Sequence, residues 1–251
     1  MASNVLLKTV VPALGAVVST AMYLAPLKAV LRASRDKNLG ELNPLPLSVT
    51  IANCIAWCCF GLLKHDPFVT APNTAGVLIA VFMTLTAYGL ADEAGRHNMR
   101  FVCCLTACVM PLLGVFTAFG ATDAAMQAGV WGLAGNVISL IYYAAPLSTM
   151  WEVIRTRNSA SILVPLTMMN TLNAALWTTY GIAVLEPLIW LPNAIGLGLS
   201  VLQVALRLVF PARSGTMLPS HQHHASISGG SGGGKYSRLD ETVGLGAVGP
   251  R

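Results

Sequence analysis

Two sets of asparagine and tryptophan side chains recur along this chain at the same spacing. In the first set, Trp57 follows Asn53 by four residues, and Asn73 follows Trp57 by sixteen. The second set begins 120 residues later and consists of Asn173, Trp177 and Asn193. An indole face packs against the C–H side of a polyhydroxylated ring, and an amide offers donors and an acceptor to neighbouring hydroxyls. Gathered around one space, these six side chains would bind a neutral, polyhydroxylated ligand.

Both sets belong to a longer internal repeat. Residues 15–81 align without a gap with residues 135–201, and 17 of the 67 aligned positions are identical. Ten of the 17 identities fall on proline, asparagine, glycine or tryptophan rather than on interchangeable aliphatic residues. Such self-similarity indicates two copies of one structural unit.

The composition places this repeat in a lipid bilayer. Hydrophobic residues make up 55% of the 251 residues, charged residues only 10%, and the mean hydropathy is +0.65. Soluble domains carry about 25% charged residues. Apolar stretches of about 20 residues, each long enough to span the hydrocarbon layer, can be placed at 5–31, 44–63, 67–91, 101–120, 126–151, 162–183 and 187–209. We therefore predict an all-α membrane protein with seven transmembrane helices.

The repeat divides these spans into two groups of three with one span left over. Three crossings reverse the direction of the chain, so one additional crossing is needed to make the two copies parallel. The predicted organisation is a first three-helix repeat at 5–91, a linker helix at 101–120 and a second repeat at 126–210. The Ser-, Gly- and His-rich segment 211–251 cannot bury a core, so we predict a disordered cytosolic tail.

Basic residues predict the orientation in the membrane. Thirteen of the 15 lysines and arginines fall on one side of the predicted spans, and this side is expected to be cytoplasmic. The N-terminus is then outside and the C-terminus is cytosolic. The pI near 9.0 reflects this topology, and no nucleic-acid partner is predicted. We expect the plasma membrane, although an internal membrane would give the same topology relative to the cytosol.

All six cysteines lie within predicted spans, where we interpret them as small apolar residues that fill space. Their spacings do not match a zinc site, and no metal or other cofactor is predicted. Reversible lipidation of Cys103 or Cys104 is an alternative.

Four prolines lie in the cytosolic third of four predicted helices: Pro26, Pro46, Pro146 and Pro165. An interior proline removes a backbone hydrogen bond and bends a helix, so we predict hinges or gates at these positions. Pro165 is one residue out of register with Pro46. For these two residues the alternative is an ordinary first-turn proline.

Helix rise gives the depth of the polar residues. Trp57 and Asn73, like Trp177 and Asn193, lie about six residues from the outer ends of their spans, or ~9 Å deep. Asn53 and Asn173 lie ~15 Å deep. The alternative is that the asparagines tie helices together and the tryptophans only pack. No charged residue falls in the middle of a span, which favours transport without ion coupling.

Several motifs recur in both copies: Ala-Pro-Leu at 25–27 and 145–147, N-x3-W-x3-G from Asn53 and Asn173, and P-N-x2-G from Pro72 and Pro192. Over about 10–210 this pattern closely resembles the SWEET family of sugar transporters. The resemblance implies a 3+1+3 bundle of parallel repeats and bidirectional, uncoupled movement of mono- or disaccharides by alternating access. It also implies a homo-oligomer. The family's binding residues correspond to Trp57, Asn73, Trp177 and Asn193, and its proline set to Pro26, Pro46, Pro146 and Pro165.

Three other classes of protein fit the sequence less well. A seven-helix receptor would not show a three-helix repeat, and a membrane enzyme would need a nucleophile, an acid–base pair or a metal set. A carrier of amino acids or organic acids from the wider Pro-Gln-loop group would carry that dipeptide in each unit, whereas Leu follows both Pro26 and Pro146. Because two tryptophans at one cavity leave less room than one, a hexose is favoured over sucrose.

Overall fold

A computed structural model describes residues 2–40 and 42–212, and within them it contains helices and turns but no strand. A short helix, Ala2–Val5, precedes seven long ones. These are α1 (Leu6–Asp36), α2 (Leu45–Leu63), α3 (Pro67–Tyr88), α4 (Glu93–Phe119), α5 (Ala124–Thr156), α6 (Val164–Ala183) and α7 (Pro187–Val209). The predicted all-α membrane fold with two three-helix repeats and a linker helix is confirmed.

By length and hydropathy, six of these helices are suited to cross a membrane. The exception is α6, which has 20 residues, enough for a span, but includes Asn170 and Asn173 as well as several threonines. Asn170, Asn173 and Thr167 line internal cavities, so part of the lower hydropathy of α6 follows from its position inside the bundle.

The backbone repeats with the sequence. Left-handed residues end α1 and α5 at Lys37 (φ 53°) and Arg157 (φ 54°), and they follow α2 and α6 at His65 (φ 52°) and Leu185 (φ 59°). The members of each pair are 120 residues apart. Helices α1–α3 therefore form the first unit, α5–α7 form the second unit, and α4 connects them.

Some helix ends differ from the sequence-based spans. Asp92 accepts a hydrogen bond from Gly95 N and starts α4 at Glu93, before the predicted 101. Likewise, α5 covers 124–156 instead of 126–151. Both extensions contain charged residues, which a search for apolar stretches omits. Of the predicted tail, 211–251, residues 213–251 lie outside the described part of the chain.

The four predicted hinge prolines have different local structures. In α1, helical segments Val11–Leu24 and Leu27–Asp36 are separated by a turn at Pro26, whereas α5 is continuous through Pro146. Pro46 and Pro165 are each the second residue of their helix. Their apparent shift in register therefore comes from the connection before α6, which is one residue shorter.

Buried apolar residues show how the two units are arranged. We call the end with residues 64–66 and 184–186 the outer end, following the predicted topology, and the opposite end the inner end. In the outer half, one core joins both units and α4, and it includes Phe60, Trp131 and Tyr180. In the inner half, the first unit and α4 share a core around Met83 and Met99, and the second unit has its own core around Val153. The apolar cores of the two units are thus joined in the outer half and separate in the inner half, where the hydroxyl groups of Thr50 on α2 and Tyr142 on α5 still form a hydrogen bond at 3.0 Å.

Candidate functional site

The six asparagine and tryptophan side chains singled out from the sequence all line one cavity between the two units. This central cavity has a volume of about 170 Å³. Its lining residues are Ser19, Tyr23, Asn53, Trp57, Val69, Asn73, Ser139, Tyr143, Asn173, Trp177, Ile189, Pro192 and Asn193. The lining is polar but carries no charged side chain, as the sequence-derived ligand chemistry requires.

Asn73 and Asn193 are held in the same way in the two units. The Asn73 amide nitrogen donates to the Val69 carbonyl at 2.8 Å, and that of Asn193 donates to the Ile189 carbonyl at 2.7 Å. Each side chain is thereby anchored to its own helix, one turn earlier. The Asn73 side-chain oxygen accepts from the Tyr23 hydroxyl at 3.1 Å. That of Asn193 has no hydrogen-bond donor among the described residues, so it remains available to a ligand.

Each tryptophan packs against a glycine of the opposite unit. A Cβ atom at Gly135 would lie 2.9 Å from the Trp57 ring, and one at Gly15 would lie 3.2 Å from the Trp177 ring. A side chain at Gly135 would therefore displace the Trp57 ring, and one at Gly15 would require the Trp177 ring to shift by a few tenths of an ångström. Phe60 and Tyr180 make edge-to-face contacts with Trp57 and Trp177 respectively, at centroid distances of 5.5 and 5.9 Å. The indole planes are fixed before a ligand arrives.

Two serines connect the units through Asn53 and Asn173. The Ser139 hydroxyl donates to the Asn53 side-chain oxygen at 3.1 Å, and the Ser19 hydroxyl donates to that of Asn173 at 2.8 Å. Ser19 also accepts from the Trp177 indole N–H at 2.9 Å. Asn53 and Asn173 therefore join helices as well as line the cavity.

Sequence reasoning did not select the first-helix residues that complete the site. Ser19 and Tyr23 in the first unit, and Ser139 and Tyr143 in the second, line the cavity beside the asparagines. All four are among the identities of the internal repeat. That repetition was the available signal, but a serine or tyrosine in an apolar helix does not by itself indicate which way it faces.

A vestibule connects the central cavity with the inner end. It has a volume of about 530 Å³ and shares five lining residues with the cavity: Tyr23, Asn53, Ser139, Tyr143 and Asn173. Pro146 also lines the vestibule, whereas Pro26, Pro46 and Pro165 are not among its lining residues. Of the four predicted hinge residues, the structure therefore places one at this opening.

At the outer end, two polar contacts join the units. The Tyr180 hydroxyl donates to Asp66 Oδ2 at 2.7 Å, and Lys64 Nζ lies 2.5 Å from Glu186 Oε2. Asp66 also accepts from the backbone N–H groups of Phe68 and Val69, so it caps the start of α3. Together with the shared outer core, these contacts close the outer end while the inner end is open.

The second unit has an additional connection around Pro192. Because proline lacks an N–H, the carbonyl of Leu188 has no partner at the usual position four residues later. The Asn136 amide nitrogen on α5 donates to this carbonyl at 3.2 Å, and the Tyr143 hydroxyl donates to the carbonyl of Pro192. Helix α5 thus stabilises the proline-interrupted turn of α7.

The described residues contain no group of three or more His, Cys, Asp or Glu side chains that could hold a metal ion. The six cysteines form no disulfide, and their exposure ranges from buried Cys54 to exposed Cys104 and Cys108. The cavity therefore offers hydrogen bonding and ring packing as its chemistry.

Comparisons with known proteins agree with this geometry. A family model described as a sugar efflux transporter for intercellular exchange matches residues 9–92 and 130–215. Sugar transporter SWEET1 of Drosophila pseudoobscura pseudoobscura is 28% identical over 200 residues, covering 79% of this chain and 88% of the relative. Bidirectional sugar transporter SWEET7b of Oryza sativa subsp. indica is 25% identical over 214 residues, covering 84% and 80%.

The fold also matches a solved structure, that of a eukaryotic SWEET transporter, with a TM-score of 0.73 and 22% sequence identity. The match covers 81% of this chain and 96% of that one. Because the family model matches both three-helix units, this chain belongs to the MtN3/SWEET family of membrane transporters.

Proposed function

We propose that this protein is a facilitative, bidirectional uniporter of neutral sugars that works by alternating access. The observation that carries the proposal is the central cavity, to which both units contribute an Asn–Trp–Asn set and which has no charged lining residue. Amide and hydroxyl groups satisfy sugar hydroxyls without requiring a charge on the ligand. The names of the relatives as sugar transporters support the same substrate class.

Substrate binding is assigned to Asn73 and Asn193 as hydrogen-bonding groups and to Trp57 and Trp177 as ring-packing groups. Asn53 and Asn173 shape the floor of the cavity and bind the sugar from the inner side. Because the cavity measures about 170 Å³, a hexose is favoured over a disaccharide in this conformation.

The mechanism follows from the arrangement of the two cores. In this conformation the outer end is closed by the Tyr180–Asp66 and Lys64–Glu186 contacts, and the inner vestibule is open. Rocking of the units around the sugar would separate the outer contacts and bring the inner halves together. Pro26, Pro46, Pro146 and Pro165 are the proposed hinges of this motion, and Pro26 already interrupts its helix.

Transport is proposed to be uncoupled. Ion-coupled carriers place ionisable side chains along the ion path inside the membrane. Here the cavity lining contains no Asp, Glu, His, Lys or Arg side chain, and Asp66 and Glu186 are engaged at the outer end. The sugar would therefore move down its own gradient in either direction.

We further propose a plasma-membrane location with the N-terminus outside and the C-terminus in the cytosol, as the distribution of basic residues indicates. A homo-oligomer is the proposed assembly. Protease protection of tags placed at the two termini tests the orientation, and cross-linking in native membranes tests the assembly.

The test of function is uptake of radiolabelled glucose and sucrose by cells that lack their own hexose carriers, with and without a protonophore. Saturable glucose uptake that the protonophore does not change would support the proposal. Uptake that collapses with the proton gradient would contradict uncoupled transport. Surface-expressed protein that moves neither sugar would contradict sugar transport and favour an amino-acid or organic-acid substrate.

A further inference from the structure

A second polar cavity lies entirely within the second unit, between the central cavity and the inner end. This side pocket is lined only by residues of α5, α6 and α7 and has a volume of about 180 Å³, similar to the 170 Å³ of the central cavity. It shares Tyr143, Asn173 and Asn193 with the central cavity. It shares Tyr142, Pro146, Asn170 and Gln203 with the vestibule. The side pocket therefore borders both the central cavity and the vestibule.

Three polar side chains of the side pocket have no protein partner. Ser200 and Gln203 are only 6% and 8% exposed, yet no hydrogen bond to either side chain is found among the described residues. The amide of Asn170, half-buried on the facing helix α6, is also without one. Buried polar groups in folded proteins are almost always paired with protein, water or ligand. The polar atoms of Ser200 and Gln203 are accessible from the cavity rather than sealed in protein, so a polar molecule in the cavity can pair with them.

The first unit has no equivalent of this pocket chemistry. The positions that correspond to Asn170, Ser200 and Gln203, 120 residues earlier, hold Thr50, Ala80 and Met83. Ala80 and Met83 are buried at 0% and 2% exposure, and Met83 belongs to the inner core of the first unit. Helix packing in a three-helix unit of this kind therefore does not require polar residues at these positions, and their presence in the second unit calls for another reason.

We propose that Asn170, Ser200 and Gln203 form a second binding subsite for a neutral sugar, on the path between the central cavity and the inner end. The pocket has no charged lining residue, so its ligand is neutral, and its amide and hydroxyl groups match those of a polyol. This inference depends on the proposed sugar transport. It adds that the transport path is asymmetric, because the second binding subsite is formed only by residues of the second unit.

The experiment is equilibrium binding of radiolabelled glucose to the full-length protein purified into lipid nanodiscs. The test variant is Ser200→Ala/Gln203→Met, which introduces the residues that the first unit carries at these positions. We expect the wild type to bind about two glucose molecules per chain at saturation and the variant about one. Losing two hydrogen-bonding groups should weaken the second site at least tenfold.

Two further variants separate the sites. Asn73 lines the central cavity but not the side pocket, so Asn73→Ala should lose transport while keeping the binding that Ser200→Ala/Gln203→Met removes. Leu199→Ile is the matched control: it introduces the residue type of the corresponding position 79 in the first unit without changing polarity. This variant should bind glucose as the wild type does. Asn170→Thr is a milder change because position 170 is half-buried. It tests the same subsite if the double variant does not fold.

The outcomes are distinct. Unchanged glucose binding in both Ser200→Ala/Gln203→Met and Asn170→Thr would show that the pocket holds only water and would overturn the inference. If the wild type binds one glucose molecule and Asn73→Ala abolishes that binding, the second subsite is also overturned. The proposed function would then remain intact. If the wild-type protein neither binds nor transports a sugar, the proposed function itself fails.

Discussion

In the first unit, α1 is interrupted at Pro26, whereas in the second unit α5 runs through Pro146 without a break. The same contrast appears around the third helices. Asn136 of α5 donates to the carbonyl that Pro192 leaves unpaired in α7, but the equivalent position in α1 is Ala16, which has no side-chain donor for the carbonyl left by Pro72. The second unit thus has a tie across Pro192 and a continuous α5, whereas the first unit lacks this tie at Pro72 and its α1 is interrupted at Pro26.

The two units also contribute different residues to the outer and inner ends of the cavity. At the outer end, the hydroxyl that reaches Asp66 comes from Tyr180, and the corresponding residue of the first unit is Phe60. At the inner end, the polar side pocket belongs to the second unit alone. An internal repeat therefore preserves the binding groups and the helix plan, while the hinges, gates and accessory sites can diverge between copies.

The largest expected effect concerns what the units share. Asn73→Ala or Asn193→Ala should each reduce sugar transport to background, because each removes a hydrogen-bonding group that faces the ligand. Membrane insertion should be unaffected, since one interhelical polar group contributes only about 0.6 kcal/mol. The measurement is uptake normalised to the amount of protein at the surface. Transport that survives both substitutions would show that these asparagines only pack.

A second prediction sharpens the contrast between the broken and continuous helices. Pro26→Ala should restore the backbone hydrogen bond of α1 and lower the maximal transport rate about tenfold with little change in KM, because a straighter helix opposes rocking. Pro146→Ala should also lower the rate more than it changes KM, but by a smaller factor because α5 is already continuous.

Zero-trans influx and efflux kinetics in proteoliposomes distinguish these cases. Equal losses in rate and affinity would argue against a hinge at either proline. A larger effect at Pro146 than at Pro26 would show that the continuous α5, rather than the interrupted α1, contains the more important hinge.

The outer contacts provide a third prediction. Tyr180→Phe removes the hydrogen bond to Asp66 and should shift the equilibrium toward the outward-open state about fivefold, equivalent to ~1 kcal/mol. Lys64→Gln should shift it by about twofold or less, because the lysine side chain is 42% exposed and exposed ion pairs contribute little. Accessibility of a cysteine introduced near the outer mouth to a membrane-impermeant reagent reports the shift. No increase in labelling for Tyr180→Phe would indicate that the apolar core alone closes this end.

The smallest effect is expected at the tie around Pro192. Asn136→Ala leaves the Leu188 carbonyl unpaired and should destabilise the protein by about 0.6–1.7 kcal/mol. The apparent Tm in detergent should fall by a few degrees while sugar affinity stays near that of the wild type. Asn136→Leu, which has a similar size but no donor and no charge, should also lower the apparent Tm. An unchanged Tm in both variants would show that the Asn136 contact does not stabilise α7.

Much of this arrangement was accessible from the sequence. The repeat offset of 120 residues predicted which side chains would lie at the same depth, and the helix ends at Leu63, Pro67, Ala183 and Pro187 place Trp57, Asn73, Trp177 and Asn193 six residues from them, as predicted. Apolar length predicted the number of long helices, and the repeated spacing of asparagine and tryptophan predicted the six cavity residues. These features are local or periodic, so they are readable along the chain.

What only the tertiary structure decided concerns relations between helices distant in sequence. It paired Trp57 with Gly135 and Trp177 with Gly15 across the units, placed Ser19 and Ser139 beside Asn173 and Asn53, and put Tyr180 rather than Phe60 at the outer closure. It also showed that Pro26 breaks its helix and that Pro146 does not. The physical reason is that a single polar residue in an apolar helix can pair with any of several partners at similar free energy, and a proline can either interrupt its helix or be accommodated in it. Which one is realised depends on the partner that the neighbouring helix presents.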